Sequence, residues 1–288
     1  MPRSGRCCRR SRSRRRFRST GSCATSIRSS IECSNKYIYR KAPLSVAAAS
    51  ADDDRGGNGR CAGLPTQSQL KTALVAATNS ETGGLNMNMW GTVVDRDGIV
   101  CAVAFTGVNR GAQWPGSRVI SAQKANTANS FSLDPSVASG GNGGALALST
   151  ANLYAAVQPG GSLFGLQESN PVDTSVAYQG PSSNYGTSND PMVGSKIGGV
   201  NVFGGGLALY NSSHQLIGAV GVSGDRSCAD HNIAWRARFR ARRAFSRAIR
   251  RIPTNIIFDI TGGASASGFG HPNCFNNTTN PHSLPAVQ

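Results

Sequence analysis

Residues 89–107, MWGTVVDRDGIVCAVAFTG, constrain the fold of this chain more than any other segment. Two runs rich in β-branched residues flank Asp97-Gly98, a dipeptide typical of the tight turn of a β-hairpin. A hairpin is stable only when further strands or a helix cover its apolar face. The segment therefore predicts an antiparallel sheet whose covering elements come from the flanking sequence.

The flanking segments contain patterns for those covering elements. Thr66 can cap a helix that extends through Ala77, because apolar side chains recur there at helical spacing. We expect the remaining elements to be helices over 117–132 and 145–161, a long polar functional loop over 168–191, three short strands over 197–224 and a helix from Ala229. This order predicts an α+β fold with a mainly antiparallel sheet flanked by helices.

The formal net charge of +16 is concentrated in two segments. Residues 1–60 hold 13 Arg and two Lys against four acidic residues, and residues 231–251 hold eight Arg and no acidic residue. Such charge can bind nucleic acid, but the eight arginines are spread around the predicted helix instead of facing an apolar stripe. A basic nucleic-acid-associated protein is therefore an alternative hypothesis and not the leading one.

The first segment has three interpretations. We expect residues 1–60 to be a basic leader or a disordered segment and residues 61–288 to form the domain. SRRRFRS at 13–19 resembles a twin-arginine export signal, and APLSVAAASA at 42–51 ends like a cleavage site. The composition also suits a mitochondrial transit peptide, and a mis-set start or reading frame would give a similar run. The sequence contains no run of 18 apolar residues, so it predicts no membrane-spanning helix.

The cysteines of the body predict disulfides. Cys61, Cys101, Cys228 and Cys274 are widely spaced and contain no C-x-x-C pair, which argues against zinc and for an oxidising compartment. Four cysteines allow three connectivities. We favour Cys61 with Cys101 and Cys228 with Cys274, and the other two connectivities stay open.

Four segments together resemble one known family. They are MWGTVVDRDGIVCAVAFTG, WPGSRVISAQKANTANSFS, IGGVNVFGGGLALY and LIGAVGVSGDRSCADHNIAW, which occur in the order found in the GlcG/HbpS family of heme-binding proteins. The resemblance covers residues 61–235, and ASGFGHPNC near the end is similar to longer secreted members. The arginine-rich stretch 236–253 and the leader depart from the family.

The resemblance implies a profilin-like layered α+β fold, often assembled as an oligomer, and a role in heme binding, storage, sensing or degradation. Heme would be the cofactor, and a secreted or periplasmic protein with disulfides would be expected. Members also occur as a module of corrinoid adenosyltransferases, so an accessory protein or an enzyme acting on a small metabolite is the second hypothesis.

Two histidines are candidates for the heme iron ligand. His231 lies at the start of the last predicted helix, where Asp230 or a backbone carbonyl could orient its ring. His271, in GFGHPNC, is the second candidate. The structural alternative is that Asp230 complements the helix dipole while His231 packs beside the strand end. His214 and His282 are weaker candidates.

Heme also needs cations for its propionates. Arg110, Arg118 and Lys124 lie near the first hairpin and helix and are the predicted partners. The alternative for each is a salt bridge on the helix surface or a solvated charge. The segment GVSGD is not a G-x-S-x-G nucleophile elbow, because position 225 is Asp, and no other enzyme motif is evident. Whether the chain is an enzyme stays open.

Overall fold

The computed structural model describes residues 59–134, 148–213, 215–240, 255–274 and 284. These residues all belong to the unit that begins at Gly56. Its helices are α1 Gln67–Thr78, α2 Ser117–Ser130, α3 Tyr154–Val157, α4 Thr174–Ala177 and α5 Ser227–Arg240. Its strands are β1 Trp90–Asp95, β2 Val100–Phe105, β3 Gly206–Tyr210, β4 Leu216–Ser223, β5 Ile260–Thr261 and β6 Ala264–Ser265.

The predicted hairpin forms and provides two strands of the main sheet. β1 and β2 pair in antiparallel fashion around Gly98, whose φ of 80° suits the tight turn. The Asp95 carboxylate caps the turn by accepting from the backbone N–H groups of Asp97 and Ile99. The sheet has the order β2-β1-β4-β3, and every pairing in it is antiparallel.

Helices cover both faces of this sheet, which gives three layers. Alternate strand residues point to opposite sides, so Val93, Leu207 and Val222 pack towards α1 and α5. Val94 and Ala219 pack towards α2 on the other face. Because both faces are covered, β1 is buried at every position. The predicted α+β architecture, a mainly antiparallel sheet flanked by helices, is confirmed.

The local signals for the first two helices are also confirmed. The Thr66 hydroxyl accepts from the N–H of Gln69 while the Gln69 side chain accepts from the N–H of Thr66, which is a complete capping box. α2 lies within one residue or two of the predicted 117–132. α5 begins at Ser227, two residues before the predicted start.

Other predicted elements are wrong in form. The helix expected over 145–161 is a 3₁₀ turn at Thr150–Leu153 followed by the single turn α3 within the described residues. Only two strands form over 197–224, because glycines at 198 and 199 adopt positive φ and leave an isolated bridge there. The segment 168–191 is a long connection, as predicted, and it also contains two short helical turns.

The favoured disulfide connectivity is confirmed. Cys61 bonds Cys101, with Cα atoms 5.6 Å apart, and Cys228 bonds Cys274, with Cα atoms 6.2 Å apart. Among the described residues, no helix is both long and apolar enough to cross a bilayer. Residues 1–58 of the predicted leader, residues 135–147, and the predicted candidates His214 and His282 lie outside the described residues.

Candidate functional site

His231 is fully buried, and protein groups occupy both nitrogens of its ring. It lies in the first turns of α5, with 0% of its surface exposed. Nδ1 is 3.1 Å from the Ser149 hydroxyl, and Nε2 is 3.2 Å from the Asn255 side-chain oxygen. Since the amide oxygen of Asn255 can only accept, Nε2 carries the proton and Nδ1 accepts from Ser149.

This environment keeps the imidazole of His231 neutral. Burial, followed by the charge of Arg238, lowers the pKa of His231 to about 3. A neutral imidazole is the form that ligates iron. However, neither nitrogen is available here, so His231 does not fit an axial-ligand role unless the ring first releases Ser149 or Asn255.

The neighbouring Asp230 pairs with Lys124 and not with the imidazole. Lys124 Nζ lies 2.6 Å from Asp230 Oδ2 and also donates to the carbonyl oxygen of Val222 at 3.0 Å. Burial is the largest effect on both groups: it lowers the pKa of Lys124 and raises the pKa of Asp230, while their mutual attraction opposes both shifts. Asp230 Oδ1 accepts from the N–H of Asp225, so the carboxylate is held on both sides.

Three consecutive glycines create the space for this ion pair. A Cβ at Gly205 would lie 2.3 Å from the carbonyl oxygen of Val222 and 3.3 Å from Lys124 Nζ. A Cβ at Gly206 would lie 2.5 Å from the backbone oxygen of Lys124. The sequence FGGGLALY therefore lets α2 approach β3 closely enough for Lys124 to reach α5 on the other face of the sheet.

Arg118 is engaged in a second buried ion pair. Its guanidinium binds both carboxylate oxygens of Asp190, with Nε–Oδ2 at 2.9 Å and Nη2–Oδ1 at 2.5 Å. It also donates to the carbonyl oxygen of Ala177 at 2.7 Å and lies 3.6 Å from the ring centroid of Tyr185. Arg118 therefore holds the 168–191 segment on the sheet, and it is neither a surface salt bridge nor a free anion-binding group.

Arg110 differs from the other two predicted propionate partners, because it is exposed. It lies in a 3₁₀ turn after β2 and donates to the Ser182 hydroxyl at 3.0 Å. Val108, 93% exposed, and Trp114, 51% exposed, lie on the same loop. A cation beside exposed apolar side chains suits an amphipathic anion.

His271 is buried at 4% exposure and is also bonded at both nitrogens. Nε2 lies 2.7 Å from the Ser227 hydroxyl, and Nδ1 lies 2.7 Å from the carbonyl oxygen of Pro272. Burial lowers the pKa of His271. The sulfurs of Cys228 and Cys274 are nearby, but both are consumed by their disulfide.

The predicted site residues thus fall into two groups. Lys124 and His231 meet beside the glycines of 204–206, and His271 joins them through Ser227, which accepts from the N–H of Gly204. The second group is Arg110 and Arg118, which both contact the 168–191 segment. The partners Ser149, Asn255 and Asp190 were not predicted, because no spacing in the sequence relates them to residues that lie 24 to 82 positions away.

The described part of the arginine-rich stretch packs against the domain. Arg236 forms an ion pair with Glu81, which lies just after α1. Arg238 is half-buried, and its guanidinium lies 4.5 Å from the ring centroid of Trp235. Arg240 donates to the Ser80 hydroxyl. These three arginines make intramolecular contacts, and residues 241–254 lie outside the described ranges.

The sequence of the chain matches the model of one known family. A family model described as "Haem degrading protein HbpS-like" matches residues 66–238, from the cap of α1 to the body of α5. The chain belongs to the HbpS-like family. The match contains the whole four-stranded sheet of this HbpS-like protein, and it ends before Asn255 and His271.

Two solved structures are similar to this HbpS-like protein. The PduOC:heme complex is 22% identical, with 60% of this chain and 89% of that chain covered and a TM-score of 0.39. The Klebsiella pneumoniae protein ORFY, of family DUF336, is 25% identical, with 60% and 86% covered and a TM-score of 0.38. Comparison with curated proteins found no match.

Proposed function

We propose that this HbpS-like protein binds heme. The observation that carries the proposal is the family match over residues 66–238, which spans every element of the main sheet. Heme supplies a redox-active iron in an apolar ring that carries two carboxylates. The chain must therefore offer an apolar surface, a cation and, for tight binding, an iron ligand.

Arg110 and its loop are the part of the chain that we propose for heme contact. Among the three predicted propionate partners, Arg118 and Lys124 are already neutralised by Asp190 and Asp230. Arg110 is exposed and donates to the neutral hydroxyl of Ser182, so its positive charge can serve a propionate. The exposed Val108 and Trp114 offer apolar surface to the ring.

The test is a titration of the full chain with hemin, followed by the Soret band. We expect a saturable shift with a defined stoichiometry. Arg110→Ala is expected to weaken binding about tenfold or more, since a hydrogen bond to a charged group contributes about 1.5–3 kcal/mol. Lys196→Ala, at an exposed lysine elsewhere on the domain, is the matched control and should leave the affinity unchanged.

A His231→Ala variant distinguishes a heme site at the Arg110 loop from a site in which His231 ligates the iron. A loop site at Arg110 predicts a Soret shift that persists in this variant. If the shift disappears in H231A while the protein is still folded, His231 is the iron ligand. Its ring must then release Ser149 or Asn255 when heme binds. The absence of any saturable shift in the wild-type protein would contradict heme binding.

We further propose that the protein acts outside the cytoplasm and assembles as a homo-oligomer. The two disulfides support the first statement, since disulfides persist in oxidising compartments. Fractionation of expressing cells and mass photometry of the purified protein test the two statements separately. Degradation differs from storage and sensing in one measurable outcome, because only degradation consumes the bound heme under reducing conditions.

A further inference from the structure

A second chemical feature lies at the start of α5, between Ser227 and His271. The Ser227 hydroxyl is 2.7 Å from His271 Nε2, and Ser227 is the first residue of the helix. Ser227 is half-buried, whereas His271 is almost completely buried. A hydroxyl and an imidazole at this separation form the pair that activates a serine nucleophile.

The hydrogen bonds determine where the protons lie. The carbonyl oxygen of Pro272 can only accept, so His271 Nδ1 donates to it across 2.7 Å. Nε2 therefore carries the lone pair and accepts the proton of the Ser227 hydroxyl. This is the tautomer that a general base requires, and a third group orients the ring as it does in other nucleophile–base pairs.

The surroundings hold His271 in this orientation. Its backbone N–H donates to the carbonyl oxygen of Ile257 at 2.8 Å, and Tyr154 and Phe258 contact its ring. The Cys228–Cys274 disulfide links the residue after Ser227 to the segment that carries His271. The pair is therefore built from two parts of the chain that are joined covalently beside it.

We propose that Ser227 is a nucleophile towards esters with a small apolar acyl group and that His271 is its general base. Ser227 Oγ attacks the ester carbonyl and forms an Oγ–C bond, while its proton passes to His271 Nε2. The C–O bond to the alcohol breaks, and the alcohol leaves with that proton. Water then hydrolyses the acyl-serine, with His271 again taking and returning one proton.

Two observations define the substrate class. Phe203 precedes Gly204, whose N–H donates to Ser227 Oγ, and its side chain is 49% exposed. Phe269, two residues before His271, is 37% exposed. The positive end of the α5 dipole also lies at Ser227, where the oxyanion would develop. One exposed aromatic side chain is thus next in sequence to a residue that contacts Ser227, and another is close in sequence to His271, which favours an apolar acyl group over a charged one.

The experiment treats the full chain, without heme, with a fluorophosphonate probe and with p-nitrophenyl butyrate. We expect the probe to modify Ser227, located by peptide mass spectrometry of the wild-type protein. Ser227→Ala should abolish labelling, and His271→Gln should slow ester hydrolysis by about a hundredfold or more. Ser212→Ala, at an exposed turn serine, should change neither readout.

The proposal would be overturned if the probe modified a different serine, or if it left Ser227 of the folded wild-type protein unmodified. The peptide mapping needs no variant, so the test survives if Ser227→Ala fails to fold. The outcome is independent of heme binding, because no heme is present in the assay.

Discussion

Lys124 on α2 and Asp230 on α5 form an ion pair that joins helices from opposite faces of the sheet. The pair is buried, with 1% and 3% of the two side chains exposed. The charge on each group depends on the other, because burial alone favours the neutral form of both. The pair therefore couples the two outer layers of the domain.

Lys124→Met is expected to lower the free energy of unfolding by about 3–5 kcal/mol, because it leaves Asp230 buried without its cation. Adding Asp230→Asn should recover part of the loss, since the uncompensated charge is then removed. Urea unfolding at pH 7 measures both effects. Lys196→Met is the matched control and should change stability by less than about 0.5 kcal/mol. Equal effects of the two single lysine variants would contradict this account.

Arg118→Lys is expected to loosen the segment 174–192 while leaving the sheet intact. A lysine cannot bind both oxygens of Asp190 and also reach the carbonyl oxygen of Ala177. We expect amide hydrogen exchange to accelerate in this segment and not in β1 or β4. Arg110→Lys, which alters a surface contact to the same segment, should leave the exchange rates unchanged.

The contribution of His231 to stability is expected to fall as the pH drops from about 6.5 towards 3. The pKa of His231 is about 3 in the folded protein and 6.5 ordinarily, so in this window only the unfolded chain takes up the proton. The expected slope from this group is about 1.4 kcal/mol per pH unit. His231→Gln should remove that part of the slope. At pH 7.5 the histidine does not titrate, so the difference there measures only the packing cost.

Gly205→Ala is expected to destabilise the protein strongly. The residue has a φ of 116°, and a Cβ would lie 2.3 Å from the backbone oxygen of Val222. We expect a loss of at least about 2 kcal/mol. Gly116→Ala, at a position with open space and a helical φ of −64°, should stay within about 1 kcal/mol of the wild type.

Local signals in the sequence predicted those parts of the fold that local interactions determine. The Asp97-Gly98 turn and the Thr66 capping box involve residues within a few positions of each other, and both form as expected. The helix expected over 145–161 failed because its described part packs as tight turns against the segment 255–274, a contact that periodicity does not show.

The candidate site was only partly predictable for the same reason. Lys124, His231 and His271 were identified from residue type and position, but their chemistry depends on distant partners. Asp190 converts Arg118 from an expected surface cation into a buried anchor. Only Arg110 has the surface position that the propionate hypothesis requires. A single sequence does not reveal which carboxylate a buried cation will meet.

The segment beyond the family match completes the interior of the domain. The match ends at 238, yet Asn255 holds His231 Nε2, and Cys274 is bonded to Cys228. A chain shortened to the matched region would leave Cys228 as a free thiol, and His231 and Ser227 would each lose one hydrogen-bond partner. The family match is thus shorter than the part of the chain that packs together here, and recombinant boundaries should follow the longer span.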